Sequence, residues 1–400
     1  MRPTLRLLED PLVDRILDEA RTLIAELGVE IHNPGVLALL GDHGARVDLS
    51  ASRAWIPGTL VDRALATAPG TVPLYDALGT QTHDLGGDRV YFTPGSAAIH
   101  VLDGDTCEIR TPHTADYVRY VKVVGGLKHI AAQSTAFIPA DVPSRISDSY
   151  RLYLSLLHGE KPVVTGAFTI EAFEVMRDLQ VAVRGSEAAL REKPLTIFSC
   201  CPTAPVKWSD VTSQNVVDCG RAGIPVEFVS MPLSGFMAPV TLVGSVVQHA
   251  AETLSGVVIS QLAAPGAPML WGGSPAIFDV RYETTPMGAV ETMMLDCANA
   301  EVGKRLGCPR RATSRSATPS GSTRRPASRR PWAPRWPRSR ASTASRGRGC
   351  SISRAARASR SSCSTTRSAA RRSASSAASS RATTSRPSRS SRRWRARSTC

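Results

Sequence analysis

Several features that would betray a chain's chemistry are missing from this 400-residue sequence. Residues 1–307 hold five cysteines, Cys107, Cys200, Cys201, Cys219 and Cys297, with no CxxC and no His-x-x-x-His pair. No zinc-type ligand spacing is therefore recognisable, and no metal site is expected. The odd cysteine count argues against a disulfide framework. The start, MRPTLRLLEDPLVDRILDEA, has no apolar run of the signal-peptide kind. Both observations point to a reducing cytoplasm. No stretch of 18 residues is apolar throughout, which argues against a membrane span. No GxGxxG follows a strand-like run and no GxxxxGK[ST] occurs, which weighs against a nucleotide-binding sheet. No Ser-His-Asp set or glycosidase carboxylate pair stands out either, so the catalytic residues are unknown at this level.

A different set of absences marks the last 93 residues. Cys308 to Cys400 contain 25 Arg and 25 Ser but no Lys, Asp, Glu, Leu, Val, Phe, Tyr or Met. Residues 1–307 hold 24 basic and 34 acidic residues, a net −10 against +25 for the tail. The overall charge of +15 thus belongs to the tail and says little about what the body binds. A like-charged segment without leucine or valine cannot bury enough apolar surface to offset chain entropy, so 308–400 is expected to be disordered. One reading of it is an Arg/Ser-rich arm for nucleic acid. The other is translation out of frame in a GC-rich gene, with the change between Leu306 and Arg315. Read two bases later, Ser316 to Trp332 allow the text GDAKRLDAQAGLETAMG with GC-rich codons. That text has the acids and helix-like spacing the tail lacks, so the second reading is favoured and nucleic acid is not the expected partner.

The body divides at about residue 70. In 1–70, Leu12, Val13, Ile16, Leu17, Ala20, Leu23, Ile24 and Leu27 form a stripe of helical period, closed by Gly28. Further short helices are expected from Pro34 and from Pro57. This segment reads as a helical cap with no strands of its own. Residues 71–110 read as a β-rich lip of short runs broken by Gly-Gly-Asp and Asp-Gly-Asp turns, and His100 there reads as a core histidine. From residue 112, strands near 129, 163, 195, 226 and 269 alternate with helices. Spacings of 30 to 43 residues are those of βα units. The expected fold class is α/β, either a (β/α)8 barrel or a doubly wound sheet; the missing nucleotide loop lowers the second, and as a TIM barrel 71–307 would be incomplete.

In such a barrel the site lies at the C-terminal strand ends. The loops there are rich in Gly, Pro and small hydroxyls: Gly166, Thr203, Ser234, and the run Gly272, Gly273 and Ser274. Cys200 and Cys201, just past a strand, read as small buried filler in preference to thiolates, and His249 in a long apolar helix reads as structural. Aromatic rings stand beside carboxylates at Trp208 with Asp210, Phe228 with Glu227, Trp271 with Asp279, and Tyr282 with Glu283. Rings and carboxylates together suit a cationic substrate. The plainer alternative places Phe228 in the core and gives Asp210 and Glu283 to helix caps.

Three passages, YFTPGSAAIHVLD (91–103), RISDSYRLYLSLLHGEKPVVTGAFT (145–169) and LWGGSPAIFDVRYETTPMGAVETMMLDCANAEVGKRLG (270–307), resemble the trimethylamine methyltransferase family of MttB-like corrinoid methyltransferases. The likeness runs through 1–307, and the out-of-frame GDAKRLDAQAGLETAMG resembles the family's next passage. What the resemblance implies is a TIM barrel that moves a methyl group from a tertiary or quaternary methylamine, such as trimethylamine or glycine betaine, to Co(I) of a separate corrinoid protein. No cofactor would then be bound tightly, since the partner supplies the cobalamin. Trp271, Asp279, Tyr282, Glu283, Phe228, Glu227 and Trp208 are the expected substrate shell, and Gly166, Thr203, Ser234, Gly272, Gly273 and Ser274 the loops at the corrinoid mouth. Homo-oligomer formation is left open. Other classes kept in view are a pterin-dependent barrel methyltransferase, a noncatalytic remnant and a nucleic-acid binder acting through its tail.

Overall fold

A computed structural model describes residues 6–313 and 344–346 of the chain. The apolar stripe of the front segment becomes helix α1 (Asp10–Thr22), prolonged by a π-helical turn over Leu23–Leu27. Gly28, at φ 79°, ends it where a side chain would meet the Ala54 carbonyl at 2.9 Å. Two further helices follow, α2 (Pro34–Asp42), capped by the Asn33 side chain, and α3 (Gly58–Thr67). The expectation of a segment without strands is corrected here. Val29–Ile31, Arg46–Asp48 and Arg53–Trp55 form a small sheet, completed by Lys207–Trp208 from the body. The strands are only three residues long, too short for a period of two to show in sequence.

The body is the incomplete (β/α)8 barrel. Its parallel wall, numbered separately from the small sheets, comprises β1 (Tyr91–Thr93), β2 (Gln133–Ser134), β3 (Val163–Thr165), β4 (Thr196–Cys200), β5 (Val226–Ser230), β6 (Met269–Gly273), β7 (Arg310–Thr313) and β8 (Ala344–Arg346). From β2 to β8 each strand pairs in parallel with the next in chain order, and β8 pairs with β1. Between β1 and β2, Ala131 N donates to Phe92 O at 2.9 Å and Ala97 N to Thr135 O at 3.0 Å. Tyr91–Thr93, expected in the lip, is therefore part of the wall. The described chain also runs past 307, the expected end of the body, because Arg310–Thr313 adds a strand. Apart from the residues just named, the expected disorder of 308–400 lies outside the described residues.

Six strands lead into helices: α4 (Thr114–Gly125), α5 (Ser147–His158), α6 (Ile170–Arg184) with α7 (Glu187–Glu192), α8 (Asp210–Ala222), α9 (Leu242–Ala263) and α10 (Val290–Arg305). Thr169, Ser209 and Thr241 cap α6, α8 and α9 through their hydroxyls. Among the described residues no helix follows β7 or β8.

Successive strand residues point to opposite faces of the wall. Val164, Ile197 and Leu270 pack inward on Val72, Leu74 and Leu85 of the hairpin Val72–Tyr75/Gln81–Leu85. Phe198, Phe228 and Trp271 instead join the core between the wall and the helices. Helix α9 is buried without a break from Ser245 to Gln261. It lies on β5 and β6, and α1, α2 and α3 cover its other side. By length and composition it could cross a membrane, but its burial makes it a core helix.

At Gly256 of α9 this packing is close. A Cβ there would sit 2.6 Å from Phe228 Cδ1 and 2.9 Å from Trp208 Cζ2. Overpacking of this kind costs about 1–3 kcal/mol. Gly256→Ala is expected to lower the urea unfolding midpoint accordingly, with an unchanged denaturant slope.

Candidate functional site

The inner wall carries a charged layer above the apolar one. Glu227 points inward from β5 because its neighbours Val226 and Phe228 face the helices. Its carboxylate pairs with the Arg311 guanidinium from β7, both side chains being almost fully buried. Ser199 of β4 donates to Glu227 Oε2 at 3.2 Å, and Arg311 Nη2 donates to Thr93 Oγ1 of β1 at 3.2 Å. Between β5 and β7 runs β6, where Gly272 stands beside Arg311 in register. A Cβ on Gly272 would lie 2.4 Å from Phe228 O and 2.9 Å from Glu227 Cγ. The missing side chain is what leaves room for the acid and the base to meet across β6.

The seven residues expected as one substrate shell are not brought together. Trp208, Phe228 and Trp271 are fully buried on the helix side of the wall. Trp208 Nε1 donates to Ser255 Oγ at 2.9 Å, and its ring meets Phe228 edge-on at 6.4 Å. Trp271 Nε1 donates to Asn299 Oδ1 at 2.7 Å. Phe228 is core, as the plainer alternative had it, while Glu227, one residue away, faces the barrel interior. Asp279, Tyr282 and Glu283 lie in the loop after β6. Tyr282 is 72% exposed there, and Asp279 is held by Arg281, which keeps its carboxyl below the usual range.

Of the expected mouth loops, those after β5 and β6 are tied to each other. Ser234 donates to Ser245 Oγ at 2.6 Å, and Leu233–Ser234 pairs in parallel with Ala276–Ile277, tying the loops after β5 and β6. Ser274 N donates to Ser230 O at 2.9 Å. A Cβ on Gly166 would lie 3.1 Å from Ser199 O, and one on Gly273 would strike His249 and Asn299. Thr203 is exposed and exchanges backbone hydrogen bonds with Lys207. Around these loops stand exposed apolar side chains, Ile99, Phe168, Met231, Phe236, Val280 and Tyr282, every one past the C-terminal end of a strand. His100, expected in the core, is exposed in the same rim.

Sequence reasoning missed Glu252, the acid in the middle of α9. Buried completely, it accepts from Ser230 Oγ at 2.5 Å, Gln248 Nε2 at 2.9 Å and Val206 N at 3.0 Å. It thereby joins the loop after β4 to the end of β5, and burial raises its pKa. A lone glutamate inside an apolar helix was the available signal. Cys200 is buried, and burial pushes its thiol well up, opposite to what a thiolate nucleophile requires. Among the described residues, no group of three His, Cys, Asp or Glu side chains could hold a metal ion.

His249 and His83 are buried histidines whose pKa burial lowers to about 4. His249 Nε2 donates to the Gly272 carbonyl at 3.0 Å, fixing the peptide before Gly273. Each imidazole is neutral in the folded chain and takes up a proton near 6.5 on unfolding. Stability is therefore full above pH 6.5 and falls as pH drops towards 4, by about 3 kcal/mol per histidine. His249→Gln, which can keep the donor to Gly272, is expected to flatten this fall in unfolding free energies measured from pH 7 to pH 4.

An incomplete (β/α)8 barrel with a charged inner layer and an apolar mouth is the frame of enzymes that work at the C-terminal ends of their strands. Residues 1–322 match the family model described as trimethylamine methyltransferase (MTTB), and the chain belongs to that family. It is 30% identical to a trimethylamine methyltransferase, MttB, of Desulfitobacterium hafniense, over 70% of this chain and 57% of that one. It is 28% identical to MttB of Methanosarcina barkeri over 72% and 59%, and 25% identical to a glycine betaine methyltransferase of Desulfitobacterium hafniense strain Y51 over 78% and 64%. The chain thus spans about three fifths of the length of these relatives. The crystal structure of the Methanosarcina barkeri monomethylamine methyltransferase shares the fold, with a TM-score of 0.50 at 8% identity over 77% of this chain and 62% of that one.

Proposed function

We propose that the intact protein to which this barrel belongs transfers a methyl group from a tertiary or quaternary methylamine to the corrinoid of a partner protein, in the cytoplasm. The observation that carries the reading is Glu227, a buried carboxylate on the inner wall of a barrel of the trimethylamine methyltransferase family. A methylated nitrogen leaves only when it is positively charged, and a carboxylate in a low-dielectric interior is a strong partner for that charge. Ser199 holds the acid in place. The chain's task is to hold the cation, aim one N–CH3 bond at the mouth and keep water out. The corrinoid, carried by its own protein, would supply the Co(I) nucleophile. The apolar rim of Ile99, Phe168, Met231, Phe236, Val280 and Tyr282 fits such a partner, because side chains of this kind gain from being covered. Glu283 stands exposed in that rim as a first attraction for a cation, while Asp279 is taken up by Arg281.

The Arg/Ser tail enters this proposal as an out-of-frame stretch beginning between residues 306 and 315. A read of the DNA from the Gly288 codon to well beyond the Arg330 codon tests it. A one- or two-base change that restores the DAQAG-like text is expected, and a clean frame with a stable 400-residue product in cells would sink the idea. The frame-restored protein, mixed with a corrinoid protein, is expected to demethylate trimethylamine or glycine betaine, while the 400-residue chain does not. Glu227→Gln in the restored protein should lose at least about 100-fold in kcat/KM, the scale of removing one aligned electrostatic partner. Full activity of that variant would remove Glu227 from the site.

A further inference from the structure

We infer that Arg311 fills the amine site of this chain from within: its guanidinium takes the place beside Glu227 that the cationic nitrogen of a substrate would occupy. The inference rests on the amine-binding reading of the barrel and deepens it. The two side chains come from β5 and β7, with a strand between them, and meet only because Gly272 has no side chain. Both are within 2% of full burial, so the guanidinium is not a mobile surface group that a substrate could push aside into water. Its second anchor, Thr93 Oγ1 on β1, holds it across the barrel interior. Ser199 takes up a further position on the same carboxylate oxygen. A quaternary ammonium ion offers no N–H and gains only from charge, whereas a guanidinium gains from charge and from directed hydrogen bonds. Competition for one buried carboxylate therefore favours the resident arginine. Arg311 also falls inside the 306–315 stretch where the change of frame is proposed.

The test uses the full 400-residue chain and three salts at equal ionic strength: potassium chloride, guanidinium chloride at low concentration, and tetramethylammonium chloride. The thermal midpoint of the unaltered chain is expected not to respond to tetramethylammonium beyond the potassium control. Arg311→Gln leaves Glu227 buried without its partner, and tetramethylammonium is expected to raise its midpoint by several degrees. The double variant Glu227→Gln/Arg311→Gln is expected to lose that response. Where Arg311→Gln collects as insoluble protein, the refolding yield in each salt gives the same ordering. A response of the unaltered chain, rescue by guanidinium alone, or an equal response of the double variant would each overturn the inference. Methyl transfer by the frame-restored protein alongside an Arg311→Gln chain blind to tetramethylammonium sinks the inference and spares the demethylase reading. A responsive Arg311→Gln chain alongside a restored protein that transfers no methyl group does the reverse.

Discussion

Helix α9 has no face turned to water between Ser245 and Gln261, and much of the architecture answers to that constraint. A helix apolar on every side must be covered on every side. The barrel wall covers one side, and the cap helices α1, α2 and α3 cover the other, which gives the front segment its place. Polar groups on such a helix need partners, and those partners organise the mouth. Glu252 takes the Val206 amide and the Ser230 hydroxyl, Ser255 takes the Trp208 indole, and His249 holds the Gly272 carbonyl. Three strand ends are thus fixed by side chains of one helix. The cap reinforces the same region from outside, because Val29–Ile31 pairs with Lys207–Trp208 in the loop after β4.

The inner wall shows the complementary arrangement. Its lower layer is Val164, Ile197 and Leu270, sealed by the hairpin at Val72–Leu85, and its upper layer is the charged set around Glu227. Sealing one end from water lowers the dielectric around the acid, which strengthens whatever cation pairs with it. A buried pair of this kind is a poor source of net stability, since desolvation of both ions offsets most of their attraction. It is a strong source of selectivity, because a buried carboxylate left without a cation is costly.

The rhythm of strands and helices after residue 112 was legible because each helix carries a long stripe and each strand a compact apolar run. The front strands were not, since three residues give no period, and β1 was read as a β run of the lip without its place in the wall. The site was legible only in part, for a reason rooted in strand geometry. Pairing a ring with the carboxylate next to it in sequence, as with Phe228 and Glu227, puts the two on opposite faces of one strand. One of them had to be core. Nothing local in the sequence says which, because the inner face of β6 is marked by a glycine and not by a side chain. Glu252 and His249 escaped notice as site-shaping residues because their partners lie on other strands.

Strand β7 lies where the body meets the arginine-rich tail. Buried parallel strands are normally runs of valine, isoleucine and leucine. β5, with VEFVS, departs from this by one inward acid, and that departure has a use. β7 reads RRAT, with Arg310 buried on one face and Arg311 on the other. Burial pushes the Arg310 guanidinium down to about 10, a sign of how poorly the site hydrates its charge. The wall finds partners for both, Gly87 O for Arg310 and Glu227 with Thr93 for Arg311. A sequence shaped for its fold agrees with it at every level, local propensity included. Two consecutive buried arginines in a barrel strand break that agreement at the very point where leucine, valine and acidic residues vanish from the chain. The strand position is thus the barrel's, and the residues that occupy it are chemically those of the tail.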